Sequence, residues 1–302
     1  TKVELGLPAE DFYFPADVEQ HVRQISDHGA LLRNEWNKYF AQWKSQHPDR
    51  AALLERLTTQ GLPSNWDSAL PSFSADKEVA TRKASGDTIN ALARSLPELF
   101  GGSSDLADSN NTTIEEGGSF LPQSSTMKGA NPYGRIVHFG IREHAMGSIL
   151  NGMALHGLIR PFGGTFLVFS DYMRGAVRLS ALMNLPVTYV WTHDSIGLGE
   201  DGPTHQPVEH IAALRAIPNL DVVRPADANE VVAAWREIIL RRRPVGILLS
   251  RQNLPVIDRT KFASTQGVSK GAYVLNDVAH PDVILIATGS EVGITLQAAE
   301  LL

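Results

Sequence analysis

Between residues 16 and 59 apolar positions recur at helical spacing among many charges, with no strand alternation, which predicts a helical segment. Gly61-Leu62-Pro63 and Leu70-Pro71 punctuate the stretch that follows. From about Asp76 the pattern changes to short apolar runs separated by amphipathic stretches. It predicts a helix from Val79 to Leu96, a strand at Glu98-Leu99-Phe100, and a strand from Arg135 to Phe139 leading into a helix that ends near His156. A strand at Gly163 to Phe166 then precedes a helix from Tyr172 to Met183, and Leu185 to Trp191 reads as a buried strand. Beyond it come a helix from Val208, a strand from Leu220 to Arg224, a helix from Ala228 to Leu240 and a strand from Val245 to Ser250. Asn253 to Val268 lacks a regular pattern, and Val283 to Ala287 predicts one more strand before a last helix. Strands separated by helices imply an α/β fold with a doubly wound, mainly parallel sheet. The expected division is a helical N-terminal linker over residues 1–75, a complete α/β domain over 76–258, and a linker with the start of a further α/β domain over 259–302.

Composition narrows the class. Hydrophobic residues at 43% and charged residues at 20% are ordinary for a globular protein. A net charge of −6 argues against a general nucleic-acid binder, and Arg241-Arg242-Arg243 is too short a run to change that. With no cysteine, disulfides, thiolate nucleophiles and cysteine metal sites are excluded, and a cytoplasmic location is expected. No run approaches the length of a membrane span, and no signal peptide is visible. The start at Thr1 without a methionine and the stop at Leu302 inside a helical pattern suggest a piece of a longer polypeptide.

The densest chemistry lies in His193-Asp194-Ser195-Ile196-Gly197-Leu198-Gly199-Glu200-Asp201-Gly202-Pro203-Thr204-His205-Gln206-Pro207. It follows a buried strand, where α/β folds place their ligands. Two imidazoles beside Glu200 and Asp201 favour acid–base work on a polar substrate. A metal on His193, Asp194, His205 and His210 is the competing reading, but the spacing matches no compact ligand motif and no metal site is expected. Gly197 to Gly202 spells a dinucleotide fingerprint, yet Pro203-Thr204-His205-Gln206-Pro207 follows it instead of a helix. Glu143, at a strand-to-helix junction, is either a capping carboxylate or a buried one that trades a proton with a heterocycle. Phe166, Phe169 and Tyr172 are spaced to share one helical face, as core packing or as a slot for a planar ring, with Gly163 and Gly164 allowing close approach. Arg82 and Arg251 lie near element ends, where a phosphate could be clamped, and Ser109 could add a hydroxyl donor.

Taken together, Thr81-Arg82-Lys83-Ala84-Ser85, Gly101 to Leu106, Gly140-Ile141-Arg142-Glu143-His144-Ala145-Met146-Gly147, Gly163-Gly164-Thr165-Phe166, the His193 loop, Arg224-Pro225-Ala226-Asp227 and Leu249 to Pro255 resemble the transketolases in order and in register. The resemblance implies a thiamine diphosphate-binding fold, with this chain carrying the connecting helices, the pyrimidine-binding domain and the start of the C-terminal domain. The family's N-terminal domain, with its Gly-Asp-Gly motif for diphosphate and a Mg²⁺ or Ca²⁺ ion, is expected to be absent, because no such motif occurs. The resemblance gives Glu143 the N1′ atom of the aminopyrimidine and Phe166, Phe169 and Tyr172 the pocket around that ring. Asp105 and Leu106 would reach cofactor held by the other subunit of a homodimer whose active sites lie between chains. Arg82, Ser109, His193 and Arg251 would hold a sugar phosphate, Asp201 would recognise a substrate hydroxyl, and His205 would assist proton transfer. Catalytic roles would fall to Glu143, His193 and His205. Asp108 departs from the family's usual proline. The implied activity is transfer of a two-carbon ketol unit from xylulose 5-phosphate to ribose 5-phosphate or erythrose 4-phosphate, in the pentose phosphate pathway. A dihydroxyacetone synthase-like transferase, or an inactive binding and dimerisation fragment, are the alternatives.

Overall fold

The computed structural model describes all 302 residues and divides into two units, 1–56 and 57–302. Pro48 splits the long helical pattern in two: α1 covers Ala16–Gln46, and α2 (Pro48–Thr58) begins on the proline, whose missing N–H costs nothing in a first turn. In the first unit Trp36, Phe40 and Trp43 stack along α1 at ring distances of 4.7 and 5.7 Å, as three- and four-residue spacing on a helix dictates.

The second unit begins with a short strand, β1 (Glu78–Ala80), which runs directly into α3 (Thr81–Ser95). Then come β2 (Leu99–Ser103), α4 (Ala107–Asn110), the two-residue strands β3 (Ser119–Phe120) and β4 (Ala130–Asn131), and β5 (Ile136–His138). These lead to α5 (Glu143–His156), β6 (Arg160–Phe166), α6 (Ser170–Leu182), β7 (Thr188–Thr192) and α7 (His210–Arg215). The remainder is β8 (Asp221–Val223), α8 (Ala228–Arg241), β9 (Val245–Leu249), β10 (Asn253–Pro255) and α9 (Glu291–Leu301).

Eight strands form one sheet in the order β4-β3-β5-β2-β6-β7-β9-β8, and every neighbouring pair is parallel. Alternation along β7 and β9 sends side chains to opposite faces. Val190, Ile247 and Leu249 join Ile89, Leu92, Val231 and Trp235 under α3 and α8, whereas Tyr189, Trp191 and Leu248 join Met146, Leu150, Met173 and Val177 under α5 and α6. Both faces are therefore covered, as parallel sheets require. From β2 the chain places β5 on one side and β6 on the other, so the strand order reverses there. Ligand crevices of open α/β sheets lie at the carboxyl ends of strands beside such a reversal.

Two features depart from the sequence expectation. β1 pairs antiparallel with β10, Val79 opposite Leu254, through three-residue strands too short to show a period. The strand expected at Val283 to Ala287 does not form: no other strand pairs with this segment, and Val283, Ile284 and Ile286 are exposed. Its β-branched composition suits a strand, but a strand needs a neighbour for its backbone groups.

Candidate active site

The carboxyl ends of β2, β5, β6, β7 and β9 carry the chemical residues onto one edge of the sheet. β5 gives way to α5 through Gly140, whose φ of +67° suits glycine, and Glu143 occupies the first turn of α5. Glu143 is buried and has no hydrogen-bond or ion-pair partner within the chain, so it is not the side-chain cap that its position allows. Helix N-terminal charge favours a carboxylate there.

At the end of β6 the three aromatic residues do stack, at 5.8 Å for Phe166–Phe169 and 5.7 Å for Phe169–Tyr172. They share no single α-helix. Phe166 ends the strand, Phe169 closes a 3₁₀ turn and Tyr172 lies in the first turn of α6. Phe166 is buried and Tyr172 exposed, so the stack rises from core to surface. Gly163 and Gly164 serve the protein's own packing: a Cβ at Gly163 would meet Leu150 Cδ1 at 2.5 Å, and one at Gly164 would meet Thr112 Cγ2 at 2.7 Å. Gly163 lets α5 sit close against the strand, and Gly164 does the same for the Asn110–Thr112 segment.

His193 follows β7 with a φ of +61°, a backbone region that β-carbon-bearing residues rarely adopt. Its ring lies 3.8 Å from Phe166, and His205 approaches Phe166 at 5.8 Å and Phe169 at 5.3 Å. A buried chain fixes the His193 ring. The Ser103 hydroxyl donates to Asn110 Oδ1 (2.7 Å), the Asn110 amide donates to Thr192 Oγ1 (2.6 Å), and Thr192 Oγ1 lies 2.8 Å from His193 Nδ1. Thr192 accepts from Asn110, and its own proton is available to Nδ1; with that proton on the bond, a neutral imidazole carries its N–H on Nε2. Burial, reinforced by the Arg82 charge, lowers the His193 pKa to about 4.

The same electrostatics shows what surrounds this ring: Arg82, Asp201, Arg251 and His205 all act on it. Arg82 and Arg251 are 169 residues apart in sequence, and the adjoining Thr81 and Ser250 lock them side by side. Ser250 N donates to Thr81 Oγ1 at 2.7 Å and Thr81 N to Ser250 Oγ at 3.1 Å. Desolvation lowers the Arg82 pKa, with the Arg251 charge adding to the effect and Asp201 opposing it. Arg251 sits over Gly199, within 3.0 Å of where a Cβ would be, and Gly199 has a φ of +94°.

Not every expected residue takes the expected pose. Ser109 meets Arg82 through its backbone carbonyl, which accepts from the guanidinium at 2.7 Å, rather than through its hydroxyl. Asp105, with a φ of +63°, is exposed on the turn after β2 beside half-buried Leu106, whose backbone N–H donates to Ser103 Oγ at 3.2 Å. The four groups of the metal reading do not converge. Asp194 turns to Arg224 at 2.7 Å, and His210 Nε2 meets Asp171 at 3.1 Å. Glu209 lies 3.8 Å from His210 Nδ1, and Asp171, Glu209 and His210 bring one ligand atom each within 4.8 Å of one another, a group that shares only His210 with the expected four. Sequence reasoning missed Asn110, Thr192 and Arg224. Asn110 and Thr192 carry no motif signal; Arg224 stood inside a quoted motif without a role.

With this geometry in place, the comparisons are specific. Residues 77–256 match the transketolase pyrimidine binding domain, and residues 271–302 match the transketolase-like C-terminal domain. Residues 1–63 match the transketolase thiamine diphosphate binding domain, which corrects the expectation that this domain is absent: part of it is present, without the Gly-Asp-Gly motif. The chain is 54% identical over 307 residues to the transketolase of Mycobacterium tuberculosis, covering 98% of this chain and 43% of that protein. Against the transketolase of Geobacillus stearothermophilus identity is 52%, covering 97% of this chain and 44% of the relative. The Pichia stipitis transketolase solved with sedoheptulose-7-phosphate superposes with a TM-score of 0.92 at 43% identity, over 99% of this chain and 44% of that one. The chain belongs to the transketolase family, whose domains bind thiamine diphosphate. It spans less than half the length of the relatives it matches.

Proposed function

We propose that the full-length protein transfers a two-carbon ketol unit from a ketose phosphate to an aldose phosphate, with this chain supplying the pyrimidine-binding and substrate-binding half of the site. The observation that carries the reading is the convergence of Arg82 and Arg251, a neutral buried His193 and His205 on the Phe166–Phe169 stack. Two guanidiniums at one mouth suit a phosphate dianion. The donor set also fits the cofactor's aminopyrimidine: a buried carboxylate without a partner, near the edge that carries a stepped aromatic stack. Thiamine diphosphate, when bound, supplies the carbanion that breaks and forms the carbon–carbon bond beside a carbonyl.

The chain's own groups do the rest. Glu143 holds the pyrimidine N1′ atom and exchanges a proton with it. Phe166, Phe169 and Tyr172 face the ring and exclude water. Arg82 and Arg251 fix the sugar phosphate, with Ser109 beside Arg82. His193 donates from Nε2 to a substrate oxygen, Asp201 accepts from a hydroxyl, and His205 passes protons at the ketose carbonyl and hydroxyls. A Mg²⁺ or Ca²⁺ ion belongs with the diphosphate and the part of the N-terminal domain outside this chain.

The same reading takes residues 76–258 as the pyrimidine domain and 259–302 as the linker and start of the C-terminal domain. It makes the working unit a homodimer: Ile149 and Leu155 on α5 and Leu179 and Leu182 on α6 are exposed apolar side chains on paired helices. Asp105 and Leu106 then face cofactor on the partner. A cytoplasmic enzyme of pentose phosphate metabolism follows from the same proposal; no helix is long and apolar enough to cross a membrane. The test is to supply the full-length protein with thiamine diphosphate, Mg²⁺, xylulose 5-phosphate and ribose 5-phosphate. Sedoheptulose 7-phosphate is the expected product, and its absence from folded, cofactor-loaded protein would overturn the proposal.

A further inference from the structure

The motif Arg224-Pro225-Ala226-Asp227 has no place in the substrate site, yet Arg224 is nearly inaccessible and all three of its guanidinium nitrogens are engaged. Nε donates to Asp194 Oδ2 at 2.7 Å, on the residue that directly follows His193. The other two nitrogens reach forward more than sixty residues: one donates to the Thr288 carbonyl at 3.0 Å, the other to Ser290 Oγ at 3.2 Å, and both meet Glu291. The turn is shaped to receive the guanidinium. Gly289 has a φ of +60°, its N–H donates to the Arg224 carbonyl at 3.1 Å, and a Cβ there would strike the Arg224 side chain at 2.6 Å. On the other side, Asp194 is buried, and its Oδ1 has no partner. Burial pushes the Asp194 carboxyl up, against the pull of Arg224. A buried carboxylate with one partner is costly to leave alone, and here that partner also grips the turn at 288–291.

We infer that Arg224 is a positioning residue that couples the Thr288–Glu291 turn, at the start of the C-terminal domain, to the backbone that presents His193. When the turn is seated, Arg224 is held from both sides and keeps Asp194 in place, which holds His193 in its left-handed conformation over Phe166. When the turn leaves, Arg224 loses most of its acceptors and the His193 segment loosens. The functional half of this inference rests on His193 facing substrate, as proposed above; the mechanical half does not.

The test uses the full-length, cofactor-loaded protein with Arg224→Lys and, separately, Glu291→Ala. Lysine keeps the charge but cannot serve Asp194 and the turn together. Hydrogen exchange of a peptide spanning residues 190–198 is expected to accelerate by about tenfold in Arg224→Lys and by less in Glu291→Ala, while peptides of α3 and α8 keep wild-type protection. KM for the ketose phosphate should rise by about tenfold with kcat and cofactor affinity little changed, and this rise should vanish in a His193→Ala background. Unchanged exchange at 190–198 in both variants, or acceleration spread over the whole domain, overturns the coupling. Local acceleration with an unchanged KM would leave the coupling standing and overturn the substrate role of His193. Should Arg224→Lys fail to fold, Glu291→Ala on the surface decides the question by the same readouts.

Discussion

His193 combines a left-handed backbone with a buried, uncharged ring, and both properties have consequences that can be measured. Its folded pKa of about 4 lies below the ordinary value, so the unfolded chain binds the proton more tightly than the folded one. This residue therefore adds stability at neutral pH, and that contribution is lost as pH falls from about 6.5 towards about 4. Imidazole resonances followed by NMR should show His193 neutral at pH 5.5, and denaturant midpoints should drop over the same window less steeply in His193→Gln. Glu143 makes the second residue-scale prediction. In the full-length protein, under the function proposed above, Glu143→Gln keeps the size but removes the base, and turnover should fall by roughly 10²- to 10⁴-fold. A coupled assay of sedoheptulose 7-phosphate formation checks this; activity within a few-fold of wild type would contradict the role given to Glu143. Both residues were legible in the sequence because each stands where a strand ends. The hydrogen-bonded chain behind His193 was not, since Asn110 and Thr192 lie 82 positions apart and only the sheet brings them together.

Among the elements, α8 shows how one side chain can tie a helix to the irregular stretch after β10. Asp227 caps the helix by accepting from Glu230 N at 2.7 Å, takes the Ile257 amide at 2.9 Å and pairs with Arg259 at 3.2 Å. Asp227→Ala removes a cap and breaks a buried ion pair, and the expected loss is about 3–5 kcal/mol in urea unfolding. A loss under about 1 kcal/mol would show the cap acting alone. The buried strands, β7 and β9 above all, were readable from apolar runs bounded by turns. β3, β4, β1 and β10 were not, because two or three residues carry no period and their pairing is decided by partners far along the chain. The aromatic stack was anticipated as one helical face. It forms instead across a strand end, a 3₁₀ turn and a helix, since stacking needs the rings near one another and not a shared element.

On the scale of the whole molecule, parallel topology explains why one edge holds the chemistry. Every strand of the large sheet points the same way, so the loops after β2, β5, β6, β7 and β9 must gather, whatever their separation in sequence. The α/β class and the doubly covered sheet were legible from alternation alone; the meeting of Arg82 with Arg251 was not, and only the ordered motifs pointed to it. One further consequence attaches to the stretch from Val283 to Ala287, which stands out from the sheet with neither of its backbone edges paired. Four successive aliphatic side chains, three of them β-branched, with free amides and carbonyls are a template for a second copy of themselves. The chain of 302 residues, produced by itself, should therefore self-associate through this segment, and light scattering should grow with concentration at constant ionic strength. Ile284→Lys together with Ile286→Lys should suppress that growth without moving the thermal midpoint of the pyrimidine domain. An exposed apolar segment with unpaired backbone is a sticky end, and handling this polypeptide becomes a question of what is offered to that end first.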